Sequence, residues 1–410
     1  MINLVATDLF ADSPFPKVNW GSLVVEREEK TVDDSFEPLS VGQMGVTPQL
    51  ESVARPKDPT GRKIVRKGDI VINSRSDRRG ASGVSGLEGA VSVVYSVMSP
   101  KTDALDPRFA GHLLKSDMFQ DTFYLAGVGI VDDLWTTNFN RMSSIRVPLP
   151  PLRIQRAIAD YLDRETAEID AMTADLDKME ALLTERRAEI LRSWFGEQLK
   201  NPRAPLATIA ELYIGKMEQP RQKSADEIYA PFFHSANIRP GGMIDLECSV
   251  KHMWFRPDEL DHMLLRKGDV VVVEGGAAGR PGYIAKSVDG WGIQKSVIRA
   301  RPFEDKVIGK YLFYALTFAF EDGQFDLQAS LATLAHFPAE KAARFRVPVR
   351  SLADQELVVA RLDRDLSSLS DMLADITELR DLLAERRAAL IAAAVTGQID
   401  IPTAEEPTHA

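Results

Sequence analysis

Apolar residues fall seven apart in two stretches of the chain. Leu162, Ile169, Leu176, Leu183 and Ile190 make one series, and Leu362, Leu369, Ile376, Leu383 and Leu390 make the other, each flanked by charged positions. A partial second seam accompanies each, through Ile158, Met172 and Met179 and through Val358, Met372 and Leu379. Four heptads with apolar seams and charged flanks predict coiled-coil helices rather than ordinary surface helices. Pro150-Pro151 bars helix before about Leu152 and suits Pro151 at the first helical position. Ser351 with Asp354 three residues on resembles a capping box. A helix of roughly 40 residues would be about 60 Å long.

The two stretches are copies of each other. Residues 146–199 align with 346–399 without a gap, and 18 of 54 positions are identical. An internal duplication governs how every local motif is read. It divides the chain into a first domain (1–145), a first helix (146–199), a second domain (200–345), a second helix (346–399) and a tail (400–410). A domain inserted between two equal helices favours their packing antiparallel within one chain. Outside the helices the pattern is mixed. RKGD occurs at 66–69 and 266–269, each time leading into a β-branched run, Ile70–Ile72 and Val270–Val273. Such a Gly-Asp pair reads as a turn feeding a strand. Glycine-rich loops follow (78–89 and 274–282), then more strand-like sequence such as 90–98. A later helix is expected in both domains, from Asp106-Pro107 to Phe119 and over 306–320. The fold class is therefore α+β: two mixed α/β domains separated by two long antiparallel helices forming an intramolecular coiled coil.

Composition and charge narrow the function. The 410 residues are 44% hydrophobic and 27% charged, as in an ordinary globular protein, and the longest apolar run (311–320) is too short for a bilayer crossing. No membrane association is expected. Cys248 is the only cysteine, and no basic segment near the N-terminus leads into an apolar run, which together predict a reducing, cytoplasmic setting. The net charge of −10 is awkward for a nucleic-acid binder. Its distribution is less so, since the acidity is concentrated in the helices and tail. Residues 55–79 hold nine Lys or Arg against three acids, and 264–301 hold seven against three.

Catalytic constellations are missing from the sequence. No GxxxxGK[ST], GxSxG or HExxH motif occurs, and the Asn/Asp-Pro-Pro-aromatic tetrapeptide of amino-methyltransferases is absent. His252 and His262 flank Trp254, but no third ligand is suggested, so they read as surface histidines and no metal is expected. The chain reads as non-catalytic.

The pattern V-P-L-P-P-L-x-x-Q-x-x-I-A-x-x-L-D at 147–163, then I-D at 169–170 and L-L-x-E-R-R at 182–187, resembles the conserved region of type I restriction-modification specificity subunits. L-L-x-E-R-R-x-x-L-I-x-x-x-V-T-G-Q-I-D at 382–400 resembles the C-terminal signature of that family, and the resemblance covers essentially the whole chain. The second copy departs from it, with Arg350-Ser351 for Pro-Pro and Val359-Ala360 for Ala-Asp. The resemblance implies two target recognition domains, each reading half of a bipartite, asymmetric site in double-stranded DNA. It implies that the helices set the spacing and dock two modification (methyltransferase) subunits, which carry S-adenosylmethionine, while restriction/translocase subunits join to translocate and cut. This chain itself would need no cofactor.

DNA sequence is read at base edges by forks such as Arg on guanine and amides on adenine, whereas phosphate contacts give affinity without information. On that chemistry Arg75, Arg78 and Arg79 are expected as readers in the first domain, with Lys57, Arg62 and Lys63 on phosphates. In the second domain the expected readers are Arg280 and Gln294-Lys295, with Lys216, Arg221 and Lys223 on phosphates. Ile154, Tyr161 and Trp194 are candidates for partner contact. A competing reading is an interaction scaffold whose rod binds proteins and whose basic loops bind nothing specific.

Overall fold

The computed structural model describes residues 9–33, 35–50, 60–75, 78–101, 103–129, 135–196, 202–325 and 336–401. The chain forms two compact units. One comprises the chain up to Leu176 together with Thr377 onward, and the other runs from Asp177 to Ile376. Each unit thus holds one globular domain, part of one long helix and the complementary part of the other.

The first rod helix spans Leu152–Phe195 and the second Leu352–Thr396. The first opens just after the prolines. Pro151 accepts the Gln155 N–H at 3.0 Å, so it serves as the cap residue and not as the first helical one. At the second start Ser351 Oγ accepts the Asp354 N–H at 3.2 Å and donates to the Asp354 carboxylate at 2.6 Å. That is the forward half of a capping box, with the acid turned onto the hydroxyl. Gly397, at φ +75°, ends the second helix, and Gln398 N–H closes onto Ala393 O at 2.8 Å. Left-handed backbone of this kind is what a terminating glycine supplies.

The helices pack antiparallel in each unit. In the first, Ile158, Ala159 and Leu162 share a core with Leu390, Ile391, Ala394 and Val395, early residues against late ones. Arg387 grips Asp170 with bonds of 2.7 and 3.0 Å, and Arg386 reaches Glu165. In the second, Leu183, Ile190, Leu191 and Phe195 share a core with Val358, Leu362, Leu366 and Leu369. Seam positions Leu162, Ile169, Leu362, Leu369 and Ile376 are buried, and Leu176, Leu183, Ile190, Leu383 and Leu390 are half-buried. The second seam behaves differently. Ile158 and Val358 are buried, but Met172, Met179, Met372 and Leu379 lie in the open.

The globular parts share one four-stranded antiparallel sheet. Its order in the first unit is Val24–Glu26, Tyr95–Pro100, Ile70–Asn73, Ser82–Val84; in the second it is Ala210–Ile214, Val297–Pro302, Val270–Val273, Pro281–Tyr283. A two-stranded ribbon ties each domain to its helix entry, Lys17–Asn19 with Arg146–Pro148 and Arg203–Pro205 with Arg346–Pro348. The flanking pieces differ. The first unit adds two two-stranded antiparallel pairs, the second a three-stranded sheet of Lys251–Phe255, Ile228–Phe233 and Gly292–Ile293. The helix expected from Asp106 to Phe119 is broken: Pro107–Lys115 ends at Ser116, whose hydroxyl caps Asp117–Leu125. Its counterpart Gly309–Glu321 is continuous.

Two polar residues of the repeated helix fasten each domain to the rod. Gln155 is fully buried: its carbonyl accepts the Asp106 N–H at 2.8 Å and its amide donates to Ala104 O and Pro150 O, both at 2.8 Å. Gln355 repeats the pattern with Ile308 N–H, Lys306 O and Arg350 O. One turn-pair further along, Asp163 receives Arg108 and His112, and Asp363 receives Lys310 and the Tyr314 hydroxyl. Among the described residues, no helix is long and apolar enough to cross a membrane.

Candidate nucleic-acid interface

The RKGD element is a turn built around a buried carboxylate. Gly68 and Gly268 sit at φ +85° and +95°, a conformation glycine adopts without steric cost. The Asp69 and Asp269 carboxylates accept the N–H of Arg66 and Arg266 at 2.8 and 2.7 Å, closing the turn. Each carboxylate is neutralised by a bidentate guanidinium, Arg27 at 2.8 and 2.9 Å and Arg301 at 2.9 and 2.8 Å. The source of that guanidinium has switched. Arg27 follows the edge strand Val24–Glu26, whereas Arg301 belongs to the strand that in the first unit is Tyr95–Pro100. This turn aims the next strand and the loop beyond it.

In the first unit that loop carries Arg75, Arg78 and Arg79, all exposed. A second loop joins it: Arg75 bridges Thr136, and Thr137 N–H donates to Ser74 O at 2.9 Å. Tyr124 and Trp135 stack at 5.7 Å between ring centres, and the indole N–H donates to Tyr124 O. Arg79 is fixed by Gln120 and by an ion pair with Asp121. Beneath the arginines lies a small cavity of about 30 Å³, floored by Phe119 and Phe123, which is room for about one water. The structure therefore brings the three expected arginines together with two aromatic residues that the sequence reading did not single out.

The expected phosphate contacts nearby stand elsewhere. Lys63 pairs with Glu26 at 2.9 Å. Arg62 is half-buried, and loss of hydration lowers its pKa. Lys57 lies outside the described residues. Arg66, also in this basic run, pairs with Glu29. The basic excess seen in the sequence is thus partly offset in space by acids distant along the chain, Glu26, Glu29 and Asp121.

The second unit builds its loop end from five backbone segments. Lys216 bridges Gln294, and Lys295 N–H donates to Lys216 O at 2.8 Å, so three expected residues from two separate segments meet. Glu274 N–H donates to Ser296 O at 2.8 Å, Phe337 N–H to Glu274 O at 2.7 Å, and Ser235 N–H to Ser296 Oγ at 3.2 Å. Lys295 is exposed, whereas the Lys216 ammonium turns inward onto Glu259 at 2.6 Å and over the Phe255 ring. Arg280 is half-buried and spends one guanidinium nitrogen on Ile238 O at 2.9 Å. Arg221 and Lys223 are exposed on a loop wrapped around Glu227, whose carboxylate accepts the N–H groups of Lys223 and Ser224 and the Gln219 amide. Those bonds lower its pKa, the Lys223 N–H most.

His252 and His262 are engaged separately. His252 stacks on Tyr229, which also meets Trp254, and His262 Nδ1 lies 2.6 Å from Asp258 O. Among the described residues, no cluster of three His, Cys, Asp or Glu has metal-binding geometry.

Residues 45–181 match the family model of the type I restriction modification DNA specificity domain. Over that stretch the chain is similar to a DNA specificity domain. The matched stretch takes in the Arg75–Arg79 loop, the Gln155 and Asp163 anchors and the first rod helix as far as Ala181. Solved structures share the fold over nearly the full length. A chain from a study of complex assembly and conformational transition of the type I R-M system aligns with TM-score 0.71 at 15% identity, covering 94% of this chain and 99% of that one. The HsdS subunit of Thermoanaerobacter tengcongensis aligns with TM-score 0.50 at 16% identity, covering 94% and 97%. Among curated proteins, no sequence match is found.

Proposed function

We propose that this chain is the sequence-reading subunit of a type I restriction-modification complex, each unit reading one half of a bipartite, asymmetric site in double-stranded DNA. The observation that carries the reading is the contrast between a repeated frame and divergent loop ends. Sheet order, RKGD turn, glutamine anchor and aspartate anchor recur in both units, while the side chains presented at the loops do not. Arg75, Arg78 and Arg79 face outward in one, Lys295 and His336 in the other. A common frame with different donors suits two different half-sites.

The rod helices are 44 and 45 residues long, about 66 Å each. Stiff elements of that length suit a fixed gap between half-sites, since one face of B-DNA returns about every 34–36 Å. Their exposed apolar residues suit docking. The first unit exposes Met172, Leu379 and Leu382, and the second exposes the duplicates Met372, Met179 and Leu182. Two equivalent faces accept two copies of one partner, here the modification subunits, which carry S-adenosylmethionine and the methyl transfer. Restriction/translocase subunits join the same complex. Ile154, Tyr161 and Trp194 are less suited to that role, being partly buried against the domain cores.

Exchanging residues 1–145 for those of a related chain in the reconstituted complex is the test. One half of the methylated sequence should change and the other stay; a change in both halves, or neither, defeats the modular reading. Arg78→Ala with Arg79→Ala should weaken or alter methylation at one half-site while the complex still assembles.

A further inference from the structure

The loop ends of the two units can be superposed residue by residue through their backbone bonds. Thr137 N–H donates to Ser74 O at 2.9 Å in the first unit, and Phe337 N–H donates to Glu274 O at 2.7 Å in the second. Arg75 bridges Thr136, and Gly275 bridges His336. Both correspondences keep the offset of 200. The pair Arg75 and Thr136 is therefore the structural equivalent of Gly275 and His336.

The sizes in that pair are exchanged. In the first unit the long side chain comes from the first loop and the small one from the second. In the second unit the first loop gives a glycine, and the second gives an imidazole. A Cβ built on Gly275 would stand 3.0 Å from His336 Cε1 and 3.2 Å from Nδ1, so the ring lies directly over the glycine. Gly275 is not in a left-handed conformation, unlike its neighbour Gly276 at φ +86°. The backbone does not require glycine at 275; the overlying ring does. His336 is exposed, and its main chain is joined through Phe337, Glu274 and Ser296 to the segment bearing Lys295.

We propose that His336 is a base-reading residue of the second unit, donating an imidazole N–H to N7 of a purine from the place that Arg75 holds in the first. The inference rests on the DNA-reading role proposed above. It separates the two half-sites chemically. A guanidinium offers only donors and can take guanine O6 and N7 together, whereas a neutral imidazole offers one donor and one acceptor. Among the described residues of this crown, His336 and Lys295 are exposed, whereas Arg280 and Gln294 are half-buried and Lys216 is turned onto Glu259.

The test uses the reconstituted complex and its methylated sequence, with duplexes carrying 7-deazapurine, which lacks the N7 acceptor, at each purine of the half-site assigned to residues 202–345. The unaltered complex should lose affinity at one such position by at least about fivefold. His336→Ala should lose as much on ordinary DNA, become indifferent to 7-deazapurine at that position, and keep its thermal unfolding. Gly275→Ala, which displaces the ring, should weaken the same position. If His336→Ala keeps both affinity and base preference, or weakens all sequences equally as a phosphate contact would, the inference is overturned. If the unaltered complex shows no sequence preference at all, the subunit reading falls and this inference with it.

Discussion

Gln155 and Gln355 show how much one side chain fixes at a domain–helix junction. Each satisfies one N–H and two carbonyls with no access to water, so an isosteric apolar replacement would orphan three groups at once. Gln155→Leu is expected to destabilise the first unit by about 3 kcal/mol, read from urea denaturation; a change of a few tenths would show that the network contributes nothing net. His112 gives a pH prediction. Burial lowers its pKa, and the Asp163 hydrogen bond opposes that shift without cancelling it. A histidine held below its unfolded value takes up protons on unfolding, so stability is retained above about pH 6.5 and declines as pH falls below it. Denaturation midpoints at pH 7.5 and 5.5 should differ less in His112→Asn than in the parent chain. Tyr314 stands at the equivalent place, and burial raises its pKa far above neutrality, so it adds no such dependence.

Among the elements, the rod helices separate residues that hold the rod from residues free to meet a partner. Leu162→Ala removes a wholly buried seam residue and should cost about 2–5 kcal/mol. Arg387→Ala removes a partly exposed ion pair and should cost less than about 1 kcal/mol. The duplicates are unequal here: Ser370 replaces Asp170, and Arg187 turns instead to Glu321 on the domain helix. Met172→Glu with Leu382→Glu touches only exposed positions. It should leave the melting temperature within about 2 °C of the parent while modification subunits no longer co-elute; co-elution at the parent level would remove the docking role from this face.

For the whole molecule, the acidic total and the modest basic loops together limit what the chain can do alone. Three basic residues of the run at 62–79, Lys63, Arg66 and Arg79, are spent on Glu26, Glu29 and Asp121. Few phosphates can then be neutralised by this chain, and affinity should fall only gently with salt. The reconstituted complex should bind far more tightly and with a steeper slope of log affinity against log salt, near one unit per phosphate contact. Equal slopes for chain and complex would place the phosphate contacts here after all.

The sequence by itself determined the long helices, their duplication and the strands after RKGD, because heptads, prolines and β-branched runs are local and survive any packing. It also showed the anchoring glutamine within a motif without its role, since its three partners lie about fifty residues upstream and at the helix start. Which charges face outward was decided only by the tertiary structure. Lys63 and Lys216 look free in the chain and are paired in space, while His336 has no sequence neighbour that marks it. Ion pairing and ring packing depend on segments brought together from far along the chain, so residue type alone could name the kind of donor but not the one left facing outward.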